Sequence, residues 1–148
     1  METKTIGCKE ELKDKIKLHS KACFQKTISE SDVYLFAGIT GDFNSIHINK
    51  VEAEKSIFKE RLVHGILVTG LISTVIGTKL PGEGTIYMEQ DVKFLKPVKI
   101  GDTVTANVEV IEFINEDKGI IKLDTFVVNQ KGEKVISGYA IVKAPVGK

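Results

Sequence analysis

Apolar residues crowd the stretch that follows Gly65. Ile66, Leu67, Val68, Leu71, Ile72, Val75 and Ile76 recur at spacings that cover most of a helical circumference. A helix apolar nearly all round is a buried one. Ile66 to Lys79 therefore reads as a helix about 20 Å long. Its β-branched residues lower its intrinsic propensity, so packing must hold it. Leu80-Pro81-Gly82 ends it.

Upstream the pattern is weaker but legible. Lys21 to Ser29 reads as a strand, with Cys23, Gln25 and Thr27 on one face and Ala22, Phe24 and Ile28 nearer the other. Ser29 then caps a helix, with Asp32 reaching back as the acid of a capping box. Val33, Phe36, Ala37 and Thr40 repeat at helical spacing, and Gly41 is the stop. Asp42 to Ile48 reads as an irregular turn, and Asn49 as the cap of a second short helix.

Beyond Pro81 the period changes to two. Gly84 to Phe94 is the first strand. In Thr103 to Ile114, Val104, Ala106, Val108 and Val110 point inward, and the step breaks at Ile111, which predicts a bulge. Asn115 to Gly119 turns into Ile120 to Val128. Asn129 to Gly132 turns into Lys134 to Lys143, where Val135, Ser137, Tyr139 and Ile141 alternate. Such hairpin signals predict an antiparallel meander, with Pro97 and Gly101-Asp102 connecting its first two long strands. One buried helix with this sheet wrapped around it is an α+β pattern. Its open edge invites two-fold pairing.

Composition narrows the class. At 148 residues the chain reads as one domain, 1–148, with part of residues 1–20 expected to form a partly ordered leader. Hydrophobic content of 42%, charged content of 28% and a net charge of +1 suit a globular protein with no global pull toward nucleic acid or membrane. No apolar run approaches a membrane span, and Met1 to Lys21 has no signal-peptide core. Cys8 and Cys23 do not make a disulfide framework. They fit a reducing, cytoplasmic setting, with Cys23 packed in its apolar run.

The chemistry-bearing residues cluster in two segments. Gly41-Asp42-Phe43-Asn44-Ser45-Ile46-His47 places a carboxylate and an imidazole five positions apart. Val63-His64-Gly65-Ile66-Leu67 places a glycine amide at the entry to the buried helix. Both segments resemble the motifs of MaoC-like, (R)-specific enoyl-CoA hydratases. Leu80-Pro81-Gly82-Glu83-Gly84 and Phe94-Leu95-Lys96-Pro97-Val98-Lys99-Ile100-Gly101-Asp102 sit where that family has similar segments.

The resemblance, from about Ser29 to about Lys143, implies the hot-dog fold and a homodimer or larger assembly. It implies hydration of trans-2-enoyl-CoA, or of the acyl carrier protein thioester, to the (R)-3-hydroxyacyl product. Asp42 and His47 match the catalytic pair, Gly65 the glycine whose amide faces the thioester oxygen, and Asn44 a residue near the catalytic water. Ile66 and Leu67 are expected beside the substrate. No metal or redox cofactor is called for. Three positions depart from the pattern: Ser45 stands for a common proline, Asn49 for a common aspartate, and Gly70 for a serine whose hydroxyl Thr69 is placed to replace.

The residue types suit the reaction. A carboxylate and an imidazole can hold one water between them for attack at C3 and protonation at C2. A helix N-terminal amide meets the enolate oxygen. Five residues reach at most about 18 Å, so both members of the pair are expected within one chain. His64 reads as a structural residue, His19 as exposed, and Tyr87 and Tyr139 as sheet residues. Gly82-Glu83-Gly84 is a turn, not a phosphate loop. Two other readings stand beside the hydratase: a hot-dog thioesterase and a non-catalytic acyl-CoA-binding module.

Overall fold

Residues 16–145 are described by the structure, a computed structural model; most of the expected leader lies outside them. Strand β1 (Lys21–Thr27) leads into α1 (Glu30–Thr40), α2 (Ser45–Ile48), α3 (Lys50–Glu54) and α4 (Gly65–Thr78). Strands β2 (Ile86–Gln90), β3 (Lys93–Phe94), β4 (Thr103–Asn115), β5 (Ile120–Val128) and β6 (Lys134–Lys143) follow. All strand pairs are antiparallel. The sheet order is β1-β4-β5-β6-β2, with β3 also on β6, and α4 packs on β1, β4 and β5. This is the expected α+β arrangement of a sheet around one central helix.

The packing corrects the reading of that helix. Val68, Leu71, Ile72, Val75 and Ile76 are buried, the i, i+3, i+4, i+7, i+8 stripe of an amphipathic helix. Ile66, Gly70, Ser73 and Gly77 are exposed on another face. The inward faces of the strands complete the core with Val104, Ala106, Val108, Val110, Leu123, Val127 and Val142. Fully burying a side chain such as Ile72 contributes about 1.5–3 kcal/mol. On β6 the buried alternation is Ile136, Ala140, Val142, while Ser137, Tyr139 and Ile141 are half-buried. The bulge falls where the pattern breaks, between Val110 and Glu112.

The first predicted strand is the largest departure. It is split into β2 and β3, and both pair with β6 rather than with β4. The chain bends at Asp91, whose N–H donates to Tyr139 O at 2.8 Å. There the Asp91 carbonyl lies against Gly138 where any Cβ would collide with it. A glycine in β6 is what admits this approach. Residues 95–102 then cross back to start β4, and β4 takes β1 as its outer neighbour.

Cysteine usage also needs correction. Cys23 is buried, as its apolar run suggests, but it is disulfide-bonded. Sequence spacing shows burial and not which sulfur another chain segment brings near. Cys8 lies outside the described residues.

The segment carrying the candidate pair folds through local caps. Ser29 Oγ accepts the Asp32 N–H at 3.1 Å and Asp32 Oδ2 accepts the Ser29 N–H at 2.9 Å, the expected capping box. Gly41 closes α1 at φ +80°, its N–H donating to Ala37 O at 2.8 Å. Ser45–Ile48 is a turn of helix instead of an irregular turn. Ser45 is its first residue, the N1 position that favours proline. Asn49 caps α3 by accepting the Glu52 N–H at 3.1 Å.

Candidate active site

Asp42 follows directly on the Gly41 stop of α1. It is exposed, and its Oδ1 accepts the Asn44 N–H at 3.2 Å. Asn44 Oδ1 in turn accepts the Ile46 N–H at 3.3 Å and caps α2. Asn44 therefore shapes the turn between the pair and does not line the cavity described below. The single turn of α2 swings His47 back toward Asp42.

His47 is fixed by a backbone acceptor that no motif reveals. Its Nδ1 lies 2.7 Å from Leu62 O. A carbonyl only accepts, so Nδ1 carries the proton and Nε2 keeps its lone pair. Leu62 is itself held, its N–H on Ile46 O at 3.1 Å, and Val63 N–H donates to Val98 O at 2.8 Å. Burial pushes the His47 pKa below its ordinary 6.5; the Leu62 hydrogen bond opposes that, His64 adds to it, and the Asp42 charge opposes it. The imidazole is accordingly neutral at pH 7, with a free basic nitrogen.

His64 completes the cluster. Its Nε2 donates to Asp42 O at 2.9 Å, and its ring stacks on His47 with centroids 3.8 Å apart and planes 25° from parallel. One ligand atom from each of Asp42, His47 and His64 lies within 4.8 Å of the others. That distance suits a water accepting and donating bonds of about 2.8 Å between the carboxylate and the imidazole. It suits a shared metal less well. In-plane lone pairs of two stacked rings run side by side instead of converging, and His64 is sealed from solvent.

Beside the pair opens a cavity of about 540 Å³ whose walls include His47, Gly65, Ile66, Phe94, Val98 and Ile136. Its lining is mainly apolar. Gly65 is the first residue of α4, and no side chain caps that helix: His64 occupies the cap position with its ring turned to Asp42 and His47. The first amides of the helix are left for a bound group, with the dipole behind them. Leu67, expected at the substrate, packs against the core instead. Thr69 Oγ1 donates to Gly65 O at 2.9 Å, so its hydroxyl is engaged within the helix.

Phe94, Val98 and Ile136 are wall residues that sequence reasoning did not single out as site residues. Phe94 and Val98 belong to the segment Phe94 to Asp102 quoted above, so a signal existed for them. Ile136 carries none, since it reads as an ordinary strand residue.

Residues 11–131 match the family model for the MaoC-like domain. The chain is 48% identical over 130 residues to an (R)-specific enoyl-CoA hydratase of Rhodospirillum rubrum, covering 88% of this chain and 89% of that one. It is 46% identical over 121 residues to a 3-hydroxybutyryl-CoA dehydratase of Methylorubrum extorquens, covering 82% and 76%. The solved (R)-hydratase of Aeromonas caviae, involved in PHA biosynthesis, superposes with a TM-score of 0.85 at 38% identity, covering 90% of this chain and all of that one.

Proposed function

The chain belongs to the MaoC-like domain family, and from that membership we infer that it is an (R)-specific enoyl-CoA hydratase on a hot-dog fold. It adds water to a trans-2-enoyl-CoA to give the (R)-3-hydroxyacyl-CoA, or runs the reverse dehydration. The observation that carries the chemistry is a neutral His47 whose Nε2 is free, with a ring nitrogen within 4.8 Å of an Asp42 carboxylate oxygen and its side chain on an apolar cavity.

The geometry supports a division of labour. Asp42 and His47 Nε2 hold one water. His47 takes a proton as the water oxygen bonds to C3, and the C2–C3 π electrons move onto the thioester oxygen. The Gly65 amide meets that oxygen at the helix N-terminus. The imidazolium then returns the proton to C2 and restores the thioester. A proton delivered from the face that held the water gives syn addition. Hydration in D₂O followed by NMR should place deuterium and hydroxyl on the same face; anti product would remove His47 from the second step.

Crotonyl-CoA distinguishes the competing readings. Loss of enoyl absorbance without thiol release marks a hydratase, thiol release a thioesterase, and neither a binding module. The cavity walls accept an acyl chain, with CoA as the carrier in preference to acyl carrier protein. We place the enzyme in the cytoplasm because its substrate is a CoA thioester, since cysteine usage no longer argues for it. A homodimer is part of the same reading: β2 is a sheet edge with Ile86 and Met88 each more than half exposed. Light scattering after size exclusion tests the dimer.

A further inference from the structure

His64 is 2% exposed, and its Nδ1 meets no hydrogen-bond partner among the described residues. Leaving a buried polar atom unpaired is costly. An apolar ring would fill the same space without that cost, so the imidazole calls for a reason. Its surroundings supply one. Nε2–H holds the Asp42 carbonyl at 2.9 Å, one ring face lies on His47 at 3.8 Å, and Phe36 packs on it at 4.8 Å, tilted by 56°. Its own peptide leads into Gly65. One side chain thus touches the backbone of the carboxylate residue and the ring of the imidazole, from the residue that precedes the oxyanion amide.

We propose that His64 is a positioning residue for hydration, clamping the Asp42 backbone through Nε2–H and fixing the ring plane of His47 by stacking. The proposal rests on the Asp42/His47 reading above. The Leu62 hydrogen bond fixes His47 at one edge but leaves the ring free to swing about the Nδ1···O direction. The stack blocks that swing, so Nε2 faces the water. The charged or titratable groups that act on His47 are Asp42 and His64.

Two substitutions separate the parts. His64→Phe keeps a ring for the stack and loses the donor to Asp42. His64→Gln keeps a donor and loses the stack. Both should remain folded by circular dichroism, with KM for crotonyl-CoA within about threefold of the parent and kcat lowered roughly 10- to 100-fold, as misplacement by about 1 Å does. The acid limb of kcat/KM should move to higher pH in both, because the influence of His64 on His47 is gone. A structural role alone would scale activity equally at every pH. Parental kcat in either folded variant, or lost kcat with an unmoved acid limb, overturns the proposal. If His64→Phe does not fold, His64→Gln decides alone. His47→Ala separates the two levels: full activity there removes the underlying reading, while its inactivity alongside unimpaired His64 variants removes only the role of His64.

Discussion

At the scale of single residues, the reaction turns on which atom of His47 is free. Asp42→Asn and His47→Ala should each lower kcat by roughly 10²–10⁴, the range for a lost general acid or base, with unchanged circular dichroism. Near-parental turnover in either would end the assignment. Because burial depresses the His47 pKa, the midpoint of the acid limb of kcat/KM should lie below the ordinary histidine value of 6.5. Stability carries the same sign. Above pH 6.5 the imidazole is neutral folded and unfolded and contributes nothing. Below it the unfolded chain binds a proton that the folded chain refuses, so stability declines as pH falls toward the folded value. Urea melts at pH 7.5 and 5.5 should show part of that decline disappearing in His47→Ala. The spacing of Asp42 and His47 was legible in the sequence because both lie in one short motif. The Leu62 carbonyl and the His64 stack were not, because they join segments that only the fold brings together.

Among the elements, the entry to α4 decides how the amide can be tested. A Cβ on Gly65 would sit 2.5 Å from the Phe94 ring. Gly65→Ala keeps the amide, so any loss it shows reports the displaced ring. Gly65→Ala with Phe94→Ala should therefore recover most of that loss. Gly65→Pro with Phe94→Ala removes the amide without the clash and should stay lower by about 10²–10³ in kcat. Equal kcat in the two double variants would mean the amide is not used. At this scale the chain was easy to read where punctuation is local. Ser29, Asp32 and Gly41 bound α1, and the expected Ile66 to Lys79 became Gly65–Thr78. The reading failed for the strand after Pro81, since its split depends on the distant Gly138 in another strand.

For the whole molecule, each chain holds its own pair, because Asp42 and His47 meet within one protomer. In the dimer proposed above, co-expressing Asp42→Ala with His47→Ala should rescue nothing in purified mixed assemblies. Activity near a quarter to a half of the parent would place the pair across an interface. Layer composition was readable from periodicity, with one helix and antiparallel strands. Strand order was not, because period-two patterns say which face is apolar and nothing about which neighbour is chosen.

That order has a consequence for how the molecule assembles in time. β4, β5 and β6 are joined by short turns, whereas β1 reaches β4 and β2 reaches β6 only after long excursions. Loop closure makes such distant pairings slow. The three-stranded hairpin stack should form early with α4 docked on it, and both borders of the sheet late. Asp42 and His47 lie in the excursion after β1, so competence for catalysis should be the last property the chain acquires on refolding. Pulse-labelled hydrogen exchange should find β4–β6 amides protected before those of β1 and β2, with enoyl hydration returning only alongside the latter.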